Sequence, residues 1–104
     1  MFLLAKSQQT KASPEERAKK QTELLTKELN LSQEQADKIY QINVNHFINL
    51  AKVRNSNLSK EEEKQKIKDL MQQRRLEFKK VLTKEQMEKL KELLKKVKEL
   101  KANY

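Results

Sequence analysis

The sequence contains no glycine, no cysteine and no tryptophan, and it has a single proline. Without glycine it has no glycine-rich phosphate-binding loop, no dinucleotide fingerprint and no nucleophile elbow, because each needs backbone conformations that glycine provides. Without cysteine it has no disulfide framework and no thiolate metal site. The turn residues that punctuate β-sandwiches and barrels are also missing. These absences exclude the common nucleotide-binding and all-β classes and favour helices.

Charge is what the chain has in abundance. Among 104 residues, 24 are Lys or Arg and 15 are Asp or Glu, which gives a formal net charge of +9. Charged residues make up 38% of the chain and hydrophobic residues 36%. A single domain of this composition has few residues for a compact core. We therefore expect the chain to bury a surface against another chain, a partner subunit.

Four capping boxes mark where the predicted helices begin. In each box a Ser or Thr is followed three residues later by Glu or Gln, so that the hydroxyl and the longer side chain satisfy each other's backbone N–H groups. The boxes are Ser13 with Glu16, Ser32 with Gln35, Ser59 with Glu62, and Thr83 with Gln86.

The boxes and the helical spacing of the apolar residues predict an all-α fold. The connections are short, which predicts that sequential helices are neighbours or continue at a bend. Helices of about 22 residues are long for so small a chain and predict a thin, extended four-helix subunit. The predicted helices span 14–29, 33–55, 60–81 and 84–101. Together they form one domain over residues 14–101, followed by a tail at 102–104.

Residues 1–13 precede the predicted domain and have two interpretations. The first five residues, MFLLA, are apolar, and Ala5-Lys6-Ser7 fits the small-x-small pattern of a signal-peptidase site. The run is shorter than the about 7–15 residues of a secretory h-region. The segment is therefore either a flexible N-terminus or the remnant of a signal peptide. Elsewhere charges interrupt every window long enough to span a membrane, so we expect no membrane insertion.

Two of the four boxes resemble a known family signature. The segments Leu31-Ser32-Gln33-Glu34-Gln35 and Leu82-Thr83-Lys84-Glu85-Gln86 are similar to the paired LTxxQ motif of Spy/CpxP-type periplasmic proteins, with Ser in place of Thr in the first copy. The resemblance extends from Glu15 to about Leu100. We interpret the motif residues as structural caps, because capping explains their types without a ligand. They are Leu31, Ser32, Gln35, Leu82, Thr83 and Gln86.

The resemblance implies a periplasmic location and a cradle-shaped antiparallel homodimer. It also implies an ATP-independent chaperone that holds unfolded or partly folded client proteins on a basic, partly apolar concave face. A second function stays open, that of an envelope-stress adaptor or sensor inhibitor with one dedicated acidic partner. Promiscuity towards clients separates the two.

Helix 3 carries the candidate client-binding residues. Its cations lie next to large apolar side chains, a combination that favours electrostatic capture followed by apolar contact. The candidates are Arg74, Arg75, Lys79, Lys80, Phe78 and Met71.

Other functions are less well supported by the sequence. His46 is the one histidine and has no His or Cys partner, so we predict no metal site and no cofactor. The acidic run Glu61–Glu63 opens a helix, where the helix dipole favours negative charge, and we predict no enzyme activity. A pI near 9.8 raises the possibility of nucleic-acid binding. The basic residues interleave with acidic ones, however, so we expect no nucleic-acid partner.

Overall fold

The computed structural model of the chain describes residues 12–102, with side chains for residues 12–96. Four helices run in order: α1 (Pro14–Leu29), α2 (Gln33–Arg54), α3 (Lys60–Val81) and α4 (Lys84–Ala102). The all-α prediction is confirmed, and every predicted helix boundary is met to within one residue. Most of the predicted N-terminal segment, residues 1–11, lies outside the described part of the chain, as do residues 103 and 104.

Each helix begins at the capping box that the sequence predicts. At α1, the Ser13 hydroxyl accepts from the Glu16 N–H at 3.1 Å, and the Glu16 carboxylate accepts from the Ser13 N–H at 3.0 Å. The same reciprocal bonds open α2, α3 and α4. Asn30 ends α1 with φ 56° and ψ 55°, a left-handed conformation that Asn tolerates better than most residues. A sharp turn into α2 is therefore made without glycine.

Helix α2 lies between its two sequence neighbours. Both α1 and α3 pack on it, whereas no Cα atom of α1 comes within 8 Å of one in α3. The three helices therefore form an open layer with α2 in the middle instead of a closed three-helix bundle. Helix α4 packs on α1 and α3. In the described range, no Cα atom of α4 comes within 8 Å of one in α2.

The apolar core has two parts. The larger part surrounds the helix junctions where α2 and α4 begin, and the smaller part lies towards the other end of α2. The larger part contains Leu25, Leu29, Leu31, Ile39, Phe78, Leu82 and Leu90. The smaller part contains Ala18, Phe47 and Leu50. Leu31 and Leu82, which directly precede the capping residues of α2 and α4, are thus both core residues of the larger part. The dimer predicted from the small core stays a prediction.

Candidate functional site

The two motif glutamines contact each other directly, although they lie 51 residues apart in the sequence. Gln35 Nε2 donates to Gln86 Oε1 at 2.8 Å, and Gln86 Nε2 donates to Gln35 Oε1 at 3.3 Å. We call these two side chains the amide pair. The pair joins the start of α2 to the start of α4.

Each amide of the pair also binds the end of a helix from the opposite junction. Gln35 Nε2 donates to the carbonyl of Val81, the last residue of α3, at 3.1 Å. Gln86 Nε2 donates to the carbonyl of Leu29, the last residue of α1, at 3.2 Å. Since each amide oxygen also accepts from its own cap residue, both donors and both acceptor positions of each amide are used.

This arrangement explains why two of the four capping boxes contain Gln and two contain Glu. The boxes at Ser13 and Ser59 are exposed and only need an acceptor, which Glu supplies. The boxes at Ser32 and Thr83 are brought together in the fold, where the side chain must accept and donate at once. A carboxylate has no hydrogen to donate. The amide pair is complete in itself and needs no ligand.

A second polar group lies where α1, α2 and α3 meet. The Asn43 side chain is fully buried and donates to the Thr22 hydroxyl at 3.1 Å. Arg74 Nη1 donates to Asn43 Oδ1 at 3.4 Å and to Gln21 Oε1 at 3.2 Å. The Arg74 side chain therefore spans from α3 across α2 to α1, and it connects two helices whose backbones do not touch.

Arginine side chains surround the ring of Phe47. The Arg17 guanidinium lies 4.3 Å from the ring centroid, and that of Arg74 lies at 5.8 Å. Both distances fall within the range of a cation–π contact. Arg54 lines the same groove as Phe47. We call Arg17, Arg54 and Arg74 the arginine cluster, and they are three of the four arginines in the chain.

An open groove of about 490 Å³ lies beside this cluster. Its floor is apolar and its sides carry two guanidinium groups. The lining comes from the region where α1 begins and α2 ends, and consists of Ala12, Pro14, Arg17, Phe47, Leu50, Ala51, Arg54 and Asn55. No acidic side chain belongs to it.

Positive charge at the cluster is not neutralised by the described part of the protein. Within residues 12–96, the one ion pair joins Lys38 to Glu34 at 3.7 Å, far from the cluster in the sequence. The neighbouring His46 is buried, and this burial together with the charges of Arg74 and Arg17 lowers the pKa of His46 to about 4. Burial and the charge of Arg17 also lower the pKa of Arg74. His46 is therefore neutral at pH 7, and the local potential is positive.

Two of the six predicted client-binding residues are used inside the fold, which corrects the prediction for them. Phe78 is 4% exposed and belongs to the larger core, because the apolar stripe of α3 packs on α2 and α4. Arg74 is partly buried and engaged with Gln21, Asn43 and two aromatic rings. The other four, Met71, Arg75, Lys79 and Lys80, are exposed on α3.

The sequence reasoning missed the arginine cluster and the groove. A signal was present, since Arg74 occupies a position of the apolar stripe of α3, between Leu70 and Phe78. A lone cation at a stripe position indicates that a neighbouring helix supplies its partners. Those partners, Asn43 and Phe47, lie on α2, and their pairing with α3 depends on the tertiary fold.

Two further observations limit the kinds of site. Among the described residues, no group of three or more His, Cys, Asp or Glu side chains is placed to hold a metal ion. No helix in the described range is both long and apolar enough to cross a bilayer.

The comparisons with known proteins give one match. A family model described as a domain of unknown function (DUF4890) matches residues 5–90. No curated protein and no solved structure matches the chain. Because the family model covers most of the sequence, including Gln35 and Gln86, the chain belongs to the DUF4890 family, a domain of unknown function.

Proposed function

We propose that this protein is an ATP-independent periplasmic chaperone that binds unfolded or partly folded client proteins. The observation that carries the proposal is a set of exposed large apolar side chains, each with a cation close by on its helix. Leu24, Met71, Leu76 and Leu94 are 54–62% exposed. They are spread over α1, α3 and α4.

The cations lie three or four residues from each apolar side chain, where side chains on a helix are neighbours. Met71 has Arg75 at this spacing, and Leu76 has Lys79 and Lys80. Leu24 lies between Lys20 and Lys27, and Leu94 follows Lys91. Such a surface attracts acidic chains over a distance and then offers small, separate apolar contacts. Small contacts release easily, which suits a protein that leaves its client free to fold.

The resemblance to Spy/CpxP-type proteins supports the same proposal. The two LTxxQ-like segments form one structural unit through the amide pair, so the motif has a clear role in the fold. A periplasmic location and a homodimer with a basic concave face are parts of the proposal that rest on this resemblance.

The arginine cluster favours a second candidate function. Two of the four arginines, Arg17 and Arg54, line the groove, and Arg74 contacts the ring of Phe47; such a site also suits a dedicated acidic partner. An envelope-stress adaptor or sensor inhibitor would use the groove for that single partner and would not protect unrelated proteins.

Aggregation of an unrelated unfolding protein tests the proposal. We expect suppression of light scattering near equimolar ratio without ATP, and a weaker effect in high salt because screening reduces the capture step. Replacing Met71→Gln together with Leu76→Gln should reduce suppression severalfold. The matched control, Gln65→Ala with Gln72→Ala, changes exposed polar residues on the same helix and should leave suppression unchanged.

Absence of suppression by the folded wild-type protein would refute the chaperone proposal and favour the adaptor. Equal activity of the Met71/Leu76 variant and its control would show that exposed apolar groups on α3 do not hold clients.

A further inference from the structure

We infer that the groove beside Phe47 binds a short polypeptide segment in which a carboxylate lies next to a large apolar side chain. Such a segment names the ligand class of the second candidate function, a dedicated acidic partner at this groove, and the inference rests on that function. Binding uses Arg17 and Arg54, which line the groove, whereas Arg74 is held inside the fold by Gln21 and Asn43.

The charges of the groove select an anion. Arg17 and Arg54 line the groove, and the lining contains no carboxylate. The Arg74 guanidinium lies 5.8 Å from the ring centroid of Phe47, which also lines the groove. The nearest acidic box residue, Glu16, is held by the backbone N–H of Ser13. Two exposed guanidinium groups without acidic partners in the described chain are available to a carboxylate from another molecule.

The choice of arginine adds geometric information. Four of the 24 basic residues are arginines, and the chain otherwise uses lysine. A guanidinium binds a carboxylate through two parallel hydrogen bonds, whereas an ammonium acts as a point charge. The concentration of arginines at one groove therefore indicates directed binding of a planar anion more than general attraction.

The shape of the groove selects a compact apolar group. Its apolar floor on α2 extends from Phe47 to Ala51, a rise of about 6 Å along the helix. The volume of about 490 Å³ lies in the range of ligand clefts, ≈ 300–1,000 Å³. An extended fatty-acyl chain is much longer than this floor. One or two side chains such as Phe or Leu fit its length, with the carboxylate at Arg17 or Arg54.

Binding of a labelled peptide tests the inference directly. The probe is a fluorescent hexapeptide of alternating Glu and Phe, and its anisotropy is measured at low salt. The control probe has Lys in place of Glu. We expect the acidic peptide to bind at least tenfold more tightly than the basic one.

Matched variants separate the groove from the overall charge. Arg17→Gln with Arg54→Gln should weaken the acidic peptide tenfold or more. Lys19→Gln with Lys52→Gln removes the same charge from exposed positions of α1 and α2 outside the groove, and should change affinity less than twofold. Arg17 also contacts the Phe47 ring, so Arg54→Gln alone is the variant to use if the double variant unfolds. A threefold or larger loss is expected for it.

Three results would overturn the inference. The first is equal weakening by the arginine and lysine variants, which would show general electrostatics. The second is failure of the wild-type protein to bind the acidic peptide. The third is displacement of the labelled peptide by laurate at a much lower concentration than unlabelled peptide requires. The occupant of the groove would then be a lipid.

The peptide assay and the aggregation assay fail independently. Aggregation suppression that survives in the arginine variants, without peptide binding at the groove, would remove this inference and leave the chaperone proposal. Peptide binding at the groove without suppression would remove the chaperone proposal and retain the acidic ligand.

Discussion

The two ends of α2 both hold polar side chains against other helices, but they do so in opposite ways. At its start, Gln35 and Gln86 are neutral and use every donor and acceptor on each other, on their own caps and on two helix ends. Towards its end, Arg17 and Arg54 carry charge beside Phe47 without an acidic partner in the described chain. The amide pair has a structural role that accounts for all of its hydrogen bonds. For Arg17 and Arg54 we infer a role in binding a ligand.

Arg74 lies between these two regions and shares features of both. Like the amide pair it connects separate helices, through Gln21 and Asn43. Like Arg17 it is a cation near Phe47. A cation that is engaged by buried partners stabilises the fold, whereas an exposed cation without acidic partners is available for binding.

The largest expected effect comes from Gln86→Glu. The new carboxylate keeps the cap on Thr83 but cannot donate to the Leu29 carbonyl or to Gln35, and it places negative charge against two oxygen atoms. We expect a loss of about 2–3 kcal/mol in the free energy of unfolding, measured by urea titration.

Glu62→Gln is the matched control, because it makes the reverse exchange in an exposed box. Its effect should stay within about 0.5 kcal/mol. Similar losses for the two variants would mean that the amide pair contributes no more than an ordinary cap.

The adjacent residues Arg74 and Arg75 allow a second comparison, with a smaller expected loss of stability than Gln86→Glu. Arg74→Gln removes the cation that bridges α1 and α3 and leaves Asn43 without its donor, so we expect a loss of about 2 kcal/mol. Arg75→Gln removes the same charge from an exposed position and should cost less than about 0.5 kcal/mol. Thermal or urea unfolding of both variants checks this, and equal values would contradict the buried role of Arg74.

The smallest effect is a pH dependence at His46. Its pKa is about 4 in the fold and 6.5 as the ordinary value, so the unfolded chain takes up a proton first as the pH falls. Stability is therefore full above pH 6.5 and is lost between pH 6.5 and 4. Between pH 6.5 and 5 we expect a loss of about 1–2 kcal/mol. The His46→Gln variant should lack this slope, and an unchanged slope would assign it to other groups.

Much of the fold could be predicted from the sequence because the signals are local. Each capping box needs only the four residues from its hydroxyl to its Glu or Gln, and all four helices begin where these boxes predict. Ile39, Ile42 and Val44 also lie on more than one side of α2, which agrees with its position between α1 and α3.

The site was harder to predict because its contacts are non-local. Charge and size along one helix favour the six candidates on α3, but Phe78 and Arg74 face neighbouring helices. Gln35 and Gln86 were identified as caps, but their mutual contact depends on how the two junctions meet. Arg17 and Arg54 lie on different helices, and the sequence does not indicate that the fold places both beside Phe47.

A nuclear magnetic resonance titration with the alternating Glu and Phe peptide distinguishes the two ends of α2, since it reports on both regions in one experiment. We predict chemical-shift changes at the side-chain Nε–H groups of Arg17 and Arg54 and at the Phe47 amide. The side-chain amides of Gln35 and Gln86 should stay unchanged. Shifts at the side-chain amides of Gln35 and Gln86 without shifts at Arg17 and Arg54 would contradict this assignment, because the binding region and the structural region would then be reversed.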